Sequence, residues 1–222
     1  MTTRALAPEE ISAIDQFLSA RGRQRDRLFI ILAASTGFRV SELLTLTIGQ
    51  LLNTKGDVAH EITIARKRLK NGRGAHAKGI RSRRIPLGVR ARAAIADFLA
   101  ALPVHPTGDT FVFQSRKGVN EPIRRCQAHH LLKQVAREAG LDASRIGCHS
   151  ARKSFARMVH AAGGNDLVKT QRLLGHGSPL TTAHYLQTTE AELDAVVLGI
   201  DPFAVNPAAA TASTVSQQAR SA

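Results

Sequence analysis

Six side chains of the 222-residue chain are of types that bind an anion, orient a cation or move a proton, and they fall in three short segments. In Thr36-Gly37-Phe38-Arg39-Val40-Ser41-Glu42-Leu43 an arginine begins a helix straight after a glycine turn. The positive end of a helix dipole favours acids, so Arg39 is misplaced for helix stability and another task is expected of it. Glu42, one turn on, can hold its guanidinium. In His149-Ser150-Ala151-Arg152 the spacing puts imidazole and guanidinium on one helix face, where both can reach one anion. Gly147 just before them would let a phosphate approach the helix N-terminus. The third segment runs Leu174-Gly175-His176-Gly177-Ser178-Pro179, then Thr181-Thr182-Ala183-His184-Tyr185. Nine helical steps would set His176 and Tyr185 on opposite faces. Gly177 and Pro179 break the helix, so a turn can fold both side chains toward one site. The second and third segments each have an ordinary alternative: a basic pair on a solvated helix face, and a half-buried tyrosine with its hydroxyl bonded.

The densest charge runs from Arg66 to Arg92. It holds Arg66, Lys67, Arg68, Lys70, Arg73, Lys78, Arg81, Arg83, Arg84, Arg90 and Arg92, with no Asp or Glu. Such cations repel one another unless a partner neutralises them, and a phosphate backbone would do so by releasing counterions.

The elements that must position these groups are mainly helical. Pro8-Glu9-Glu10 reads as a helix start, with Ile11, Ile14, Phe17 and Leu18 on one face and Gly22 at its end. A second helix is expected over Gln24 to Ser35 and a third from Arg39. Glu61-Ile-Thr-Ile and Arg83-Arg84-Ile85-Pro86-Leu87 alternate as strands around the Gly-rich Asn71-Gly72-Arg73-Gly74, giving a small antiparallel sheet with a long hairpin. Helices follow over Val89 to Leu102, Ile123 to Ala139, His149 to Ala162, Asp166 to Leu174, Leu180 to Leu186 and Glu190 to Leu198. From about Asn206 the Ala, Ser, Thr and Gln composition reads as a flexible tail. The fold class expected is mixed α+β, mainly helical. Its organisation is an N-terminal helix over 1–24, a principal domain over 25–200 and a tail over 201–222.

Composition narrows the partners. Lys plus Arg number 31 against 17 Asp plus Glu, a formal charge of +14 and a sequence pI near 11.1. A chain this basic faces a polyanion, nucleic acid first. Apolar residues at 43% exclude a fully disordered chain. Cys126 and Cys148 are too few for a disulfide framework, and no CxxC pair suggests zinc. The longest apolar stretch, Leu28 to Ala34, falls far short of the roughly 20 residues of a membrane span, so no membrane is expected and the location expected is cytoplasmic, with the nucleoid. Aromatics at 4%, with one Tyr and no Trp, argue against a single-strand stacking platform and for duplex backbone contact.

In this order and spacing, the segments resemble the catalytic domain of the tyrosine recombinase (phage integrase) family over roughly residues 8 to 200. Arg39 resembles the family's first active-site arginine and Glu42 its nearby acid. His149 and Arg152 match its His-x-x-Arg motif, His176 its second histidine, and Tyr185 its nucleophile. Each motif alone is weak, whereas five in the right order are specific. The family lysine belongs on the sheet hairpin. Lys70, closing the first strand, is the choice here; Lys78 is the alternative, because Lys78-Gly79 through Ile85-Pro86 reproduces the spacing of short-hairpin members. Typical members also carry an N-terminal helical domain that clamps the other face of the DNA. About 25 residues precede the second helix here, so the resemblance is to a minimal recombinase or a catalytic fragment.

The resemblance implies a reaction. Tyr185 attacks the scissile phosphorus of double-stranded DNA to form a 3′-phosphotyrosyl bond, with His149 taking its proton. Arg39 and Arg152 bind the non-bridging oxygens and His176 donates a further hydrogen bond. Lys70, or Lys78, protonates the departing 5′-oxygen, and Arg66, Lys67, Arg68, Arg73, Arg81, Arg83 and Arg84 lie along the backbone. No metal and no cofactor are called for, since the bond energy is kept in the protein link. Strand exchange needs paired sites, so a homo-oligomer is expected, a tetramer on DNA. The helix near Glu190 to Leu198 resembles the one that docks on a neighbouring subunit. Topoisomerase-like relaxation and a non-catalytic DNA-binding accessory role are the alternatives.

Overall fold

The computed structural model describes residues 3–65, 82–103 and 106–186, together with Leu198. The chain divides into two units, 1–186 and 187–222. The expected last helix from Glu190 and the tail lie outside the described residues, Leu198 apart, and the fold below is that of the first unit. In chain order the elements are α1 (Pro8–Ala20), α2 (Gln24–Thr36), α3 (Val40–Leu44), α4 (Ile48–Leu51), β1 (Glu61–Ile64), β2 (Arg83–Pro86), α5 (Val89–Ala100), α6 (Arg125–Glu138), α7 (Ser150–Ala162), α8 (Leu167–Leu174) and α9 (Pro179–Leu186).

α2 is the centre of the fold. Leu28 through Ala34 are buried without a break, as a helix covered on every side must be. α1, α5 and α7 pack around it, while α3 lies against α6. α1 carries Glu9 and Glu10 in its first turn, and Glu10 reaches back to accept from the Ala7 backbone N–H at 2.9 Å. β1 and β2 pair antiparallel with Glu61 opposite Pro86 and Ile64 opposite Arg83. Their burial alternates, so Ile62, Ile64 and Ile85 face the core.

One large apolar cluster runs from Leu6 to Ala151. A second, small one is made of Phe155, Ala156 and Leu174, with Val159, Tyr185 and Leu186 against it. It joins α7, α8 and α9.

One boundary and one whole element depart from the sequence expectation for identifiable physical reasons. α6 starts at Arg125, not Ile123, because Ile123 is buried and its N–H is used by Phe113 O at 2.8 Å. α4 was not anticipated, since four residues are too short to show a helical period. Among the described residues no helix is long and apolar enough to cross a membrane.

Candidate active site

The site is built on the turn that ends α2. Gly37 adopts φ +57°, and a Cβ there would lie 2.2 Å from Phe155 Cδ1. Glycine is therefore required both by the left-handed backbone and by the ring packed against it. The turn leaves the carbonyls of Thr36 and Gly37 without helical partners, and a helix C-terminus favours cations. Two guanidiniums occupy it. Arg83 Nη2 donates to Thr36 O at 2.8 Å, and Arg152 Nη1 donates to Gly37 O.

Arg39 is the residue capping the start of α3. Glu42 Oε2 accepts from the Arg39 backbone N–H at 2.8 Å, and Glu42 Oε1 accepts from Arg39 Nη1 at 2.7 Å. One carboxylate thus caps the helix and neutralises the cation that the dipole disfavours. Glu42 is buried, whereas the Arg39 side chain keeps 26% of its surface exposed, open to an incoming anion. Arg83 Nη1 lies 3.4 Å from Glu42 Oε2.

Arg152 is 1% exposed. Its Nη2 donates to Leu174 O at 2.7 Å and to His176 Nε2 at 2.9 Å. Burial, and then the charge of Arg39, lowers its pKa to about 10. Arg83 is lowered to about 10 by burial and then by Arg152. Both stay protonated at neutral pH. The Nε atoms of Arg83 and Arg152 are buried without a hydrogen-bond partner. Arg39 and Arg83 thus pair with one carboxylate, Glu42, while Arg152 lies within reach of its charge; the surplus of positive charge suits an anion.

The other half of the site lies on α7, α8 and α9. His149 precedes the first turn of α7, and its Nδ1 is 2.9 Å from the Tyr185 hydroxyl. Burial, then Arg125, Arg152, Lys153 and Arg39, pushes His149 below the usual imidazole range. A neutral ring is thereby placed to accept the phenolic proton. Gly175 ends α8 at φ +62°, turning His176 inward, where its ring centroid is 5.0 Å from that of Tyr185. Arg152 Cζ lies 5.7 Å from the tyrosine ring centroid. Burial, followed by Arg152, Arg39 and Arg83, lowers His176 to about 3, so it is neutral. Because a guanidinium only donates, His176 Nε2 is the acceptor of its bond with Arg152. Nδ1 therefore carries the hydrogen and faces Thr182 Oγ1 at 3.0 Å.

The structure brings Arg39, Glu42, His149, Arg152, His176 and Tyr185 into one place. Two expectations need correction. Arg83 is not an exposed backbone contact: it is 8% exposed and lies beside Arg152. The alternation of β2 explains this, since Arg83 shares its core-facing side with Ile85 while Arg84 points out and pairs with Glu61 at 3.1 Å. Gly147 does not open a path to the start of α7. A Cβ there would lie 3.0 Å from both His129 Cε1 and Thr3 Cγ2, so the glycine serves packing. In the chain without DNA both ring nitrogens of His176, the expected donor to a phosphate, are engaged within the protein. The basic stretch is also less bare than its sequence suggests. Arg90 pairs with Asp15, and Arg92 Nη1 lies 2.9 Å from His60 Nδ1. Lys70 and Lys78, with Arg66, Lys67, Arg68, Arg73 and Arg81, lie outside the described residues. Thr182 was missed, because an uncharged hydroxyl in a helix gives no signal in the sequence.

The sequence pattern of the phage integrase family matches residues 4–192. The chain belongs to the phage integrase family. Among its relatives, tyrosine recombinase XerD of Corynebacterium glutamicum is 32% identical over 182 residues, covering 81% of this chain and 54% of the relative. Tyrosine recombinase XerA of Pyrococcus furiosus is 29% identical over 196 residues, covering 87% and 60%. The chain thus spans little more than half the length of these curated relatives. Among solved structures, a XerA recombinase superposes with a TM-score of 0.68 at 21% identity, covering 88% of this chain and 64% of that one. A XerH site-specific recombinase bound to its difH substrate superposes at 0.60 with 24% identity, covering 87% and 53%. The fold is that of tyrosine recombinase catalytic domains. In a phage integrase the arginines, histidines and tyrosine read from the sequence are the residues to test first.

Proposed function

We propose that this chain cleaves and rejoins double-stranded DNA as the catalytic part of a site-specific tyrosine recombinase. The observation that carries the reading is the Tyr185 hydroxyl at 2.9 Å from His149 Nδ1, on the same chain as the buried Arg152 and the solvent-facing Arg39. Tyr185 attacks the scissile phosphorus while His149 takes its proton, and the 5′-oxygen leaves. Arg39 and Arg152 hold the non-bridging oxygens and stabilise the charge that grows on them. The 3′-phosphotyrosyl link then reacts with a 5′-hydroxyl of a partner strand, which restores the tyrosine. DNA-bound structural neighbours support duplex DNA as the partner. A homo-oligomer on DNA and a nucleoid location belong to the same proposal, as do the division at residue 25 and the roles of the hairpin cations.

The test is a pool of nicked duplexes with randomised arms. Members recovered with the protein after denaturation define its substrate. Wild-type protein forms the adduct, and Tyr185→Phe forms none while still binding duplex. An adduct on Tyr185→Phe would refute the assignment. The same duplex with sulfur at the 5′-bridging position separates the two lysines. Thiolate leaves without a proton, so whichever of Lys70→Ala and Lys78→Ala is rescued marks the general acid.

A further inference from the structure

Thr182 is the only side chain of α9 that is fully buried. It lies three residues before Tyr185, on the same helical face. Its hydroxyl meets His176 Nδ1 at 3.0 Å, and His176 Nε2 meets Arg152 Nη2 at 2.9 Å. The helix that carries the nucleophile is therefore tied to the arginine cradle through one chain of polar contacts, Thr182 to His176 to Arg152. In this chain the guanidinium fixes the direction of both bonds, and His176 has no proton on Nε2 to offer a phosphate.

We propose that Thr182 is a positioning residue that serves two tautomers of His176. Without DNA its hydroxyl accepts from Nδ1–H while Nε2 accepts from Arg152. When a DNA phosphate takes the Arg152 donor, one proton leaves Nδ1 to water and one arrives from water at Nε2. The ring stays neutral, Nε2–H donates to a phosphate oxygen, and the Thr182 hydroxyl rotates to donate to Nδ1. A hydroxyl both donates and accepts, so it satisfies the buried nitrogen in either state. A carboxylate would only accept, and would hold the proton on Nδ1. An alkyl group would leave Nδ1 buried and unpaired. The inference rests on the reading of the site as a phosphate cradle.

Imidazole nitrogen-15 spectra decide it, with His176 assigned by its absence in His176→Gln. Free wild-type protein is expected to show Nδ1 protonated and Nε2 bare. Tyr185→Phe protein saturated with the captured duplex is expected to show the reverse. Thr182→Val is expected to slow single-turnover adduct formation by about 10–100-fold with duplex affinity unchanged. That is the size of effect when a metal-bound histidine loses the partner of its second nitrogen. Thr182→Ser is expected to restore the rate. Nε2 protonated in the free protein, no change on binding duplex, or Thr182→Ser as slow as Thr182→Val would each overturn the proposal. If wild-type protein captures no duplex, the recombinase reading fails, while the free-protein spectra still decide the resting tautomer.

Discussion

Arg83 and Arg152 are gripped by the turn after α2, a helix whose residues Leu28 through Ala34 are all buried. Tyr185 stands on α9, where Leu180 is 81% exposed and only Thr182 is fully buried. The charge-binding half of the site is thus part of the main core. The Tyr185 half hangs on α8 and α9, eight residues each, which meet α7 around a small cluster of Phe155, Ala156 and Leu174. The difference fits the proposed reaction as much as it sets local stability. A cradle for a developing charge must be rigid before the substrate arrives, whereas a nucleophile that must later leave its phosphate bond is served by an element that opens locally.

Arg152 is the joint between the halves, since it bonds Gly37 O on one side and Leu174 O and His176 on the other. Its loss should have the largest effect. Arg152→Ala is expected to slow adduct formation by at least about 10²–10³-fold, the loss typical of one transition-state donor, and to do so far more than it weakens duplex affinity. Equal losses in rate and affinity would make Arg152 a plain backbone contact. Native-state hydrogen exchange reads the comparison directly. Amides of α9 should exchange at least ~100-fold faster than those in the middle of α2 through local opening. Equal protection would mean that the two halves open as one.

Two left-handed glycines, one in each half, sharpen the contrast. Gly37→Ala meets both a disfavoured φ and the Phe155 ring, and should cost about 3 kcal/mol or more. Gly175→Ala carries the φ penalty but finds its nearest atom, Arg83 Cδ, at 3.4 Å. It should cost about 1–2 kcal/mol. Denaturant midpoints of the two variants check the order, and a larger loss at Gly175 would place the rigid part of the site on the wrong side.

The groups that lie in local motifs were legible in the sequence. Arg39 with Glu42, and His149 with Arg152, are one helical turn apart, so spacing alone says that they can cooperate. The main helices were legible for the same reason, apart from α4. Arg83 was half legible: the strand alternation that buries Ile85 buries Arg83 as well, but the charge count around it pointed outward. The pairing of Arg90 with Asp15 joins residues 75 apart in the chain, which no local pattern announces. Thr182 was illegible because its role lies in one hydrogen bond to a ring brought there by the Gly175 turn.

The smallest effect concerns His149. In the proposed reaction its neutral form accepts the tyrosine proton, and that form predominates above its pKa. Burial comes first among the causes that lower the pKa, and the charge of Arg125 second. The active form therefore persists to lower pH than an ordinary imidazole would allow. At subsaturating duplex, where ionisations of the free protein govern the rate, adduct formation should fall only below the normal midpoint of about 6.5. Arg125→Gln removes one of the cations that disfavour imidazolium, so its midpoint should move up toward that value by less than about one unit. Initial rates between pH 5 and 8 for the two proteins test this at ionic strengths matched to keep duplex binding constant. A wild-type midpoint at or above the ordinary histidine value would mean that the proton goes elsewhere. The short contact between His149 and Tyr185 would then orient the phenol without activating it.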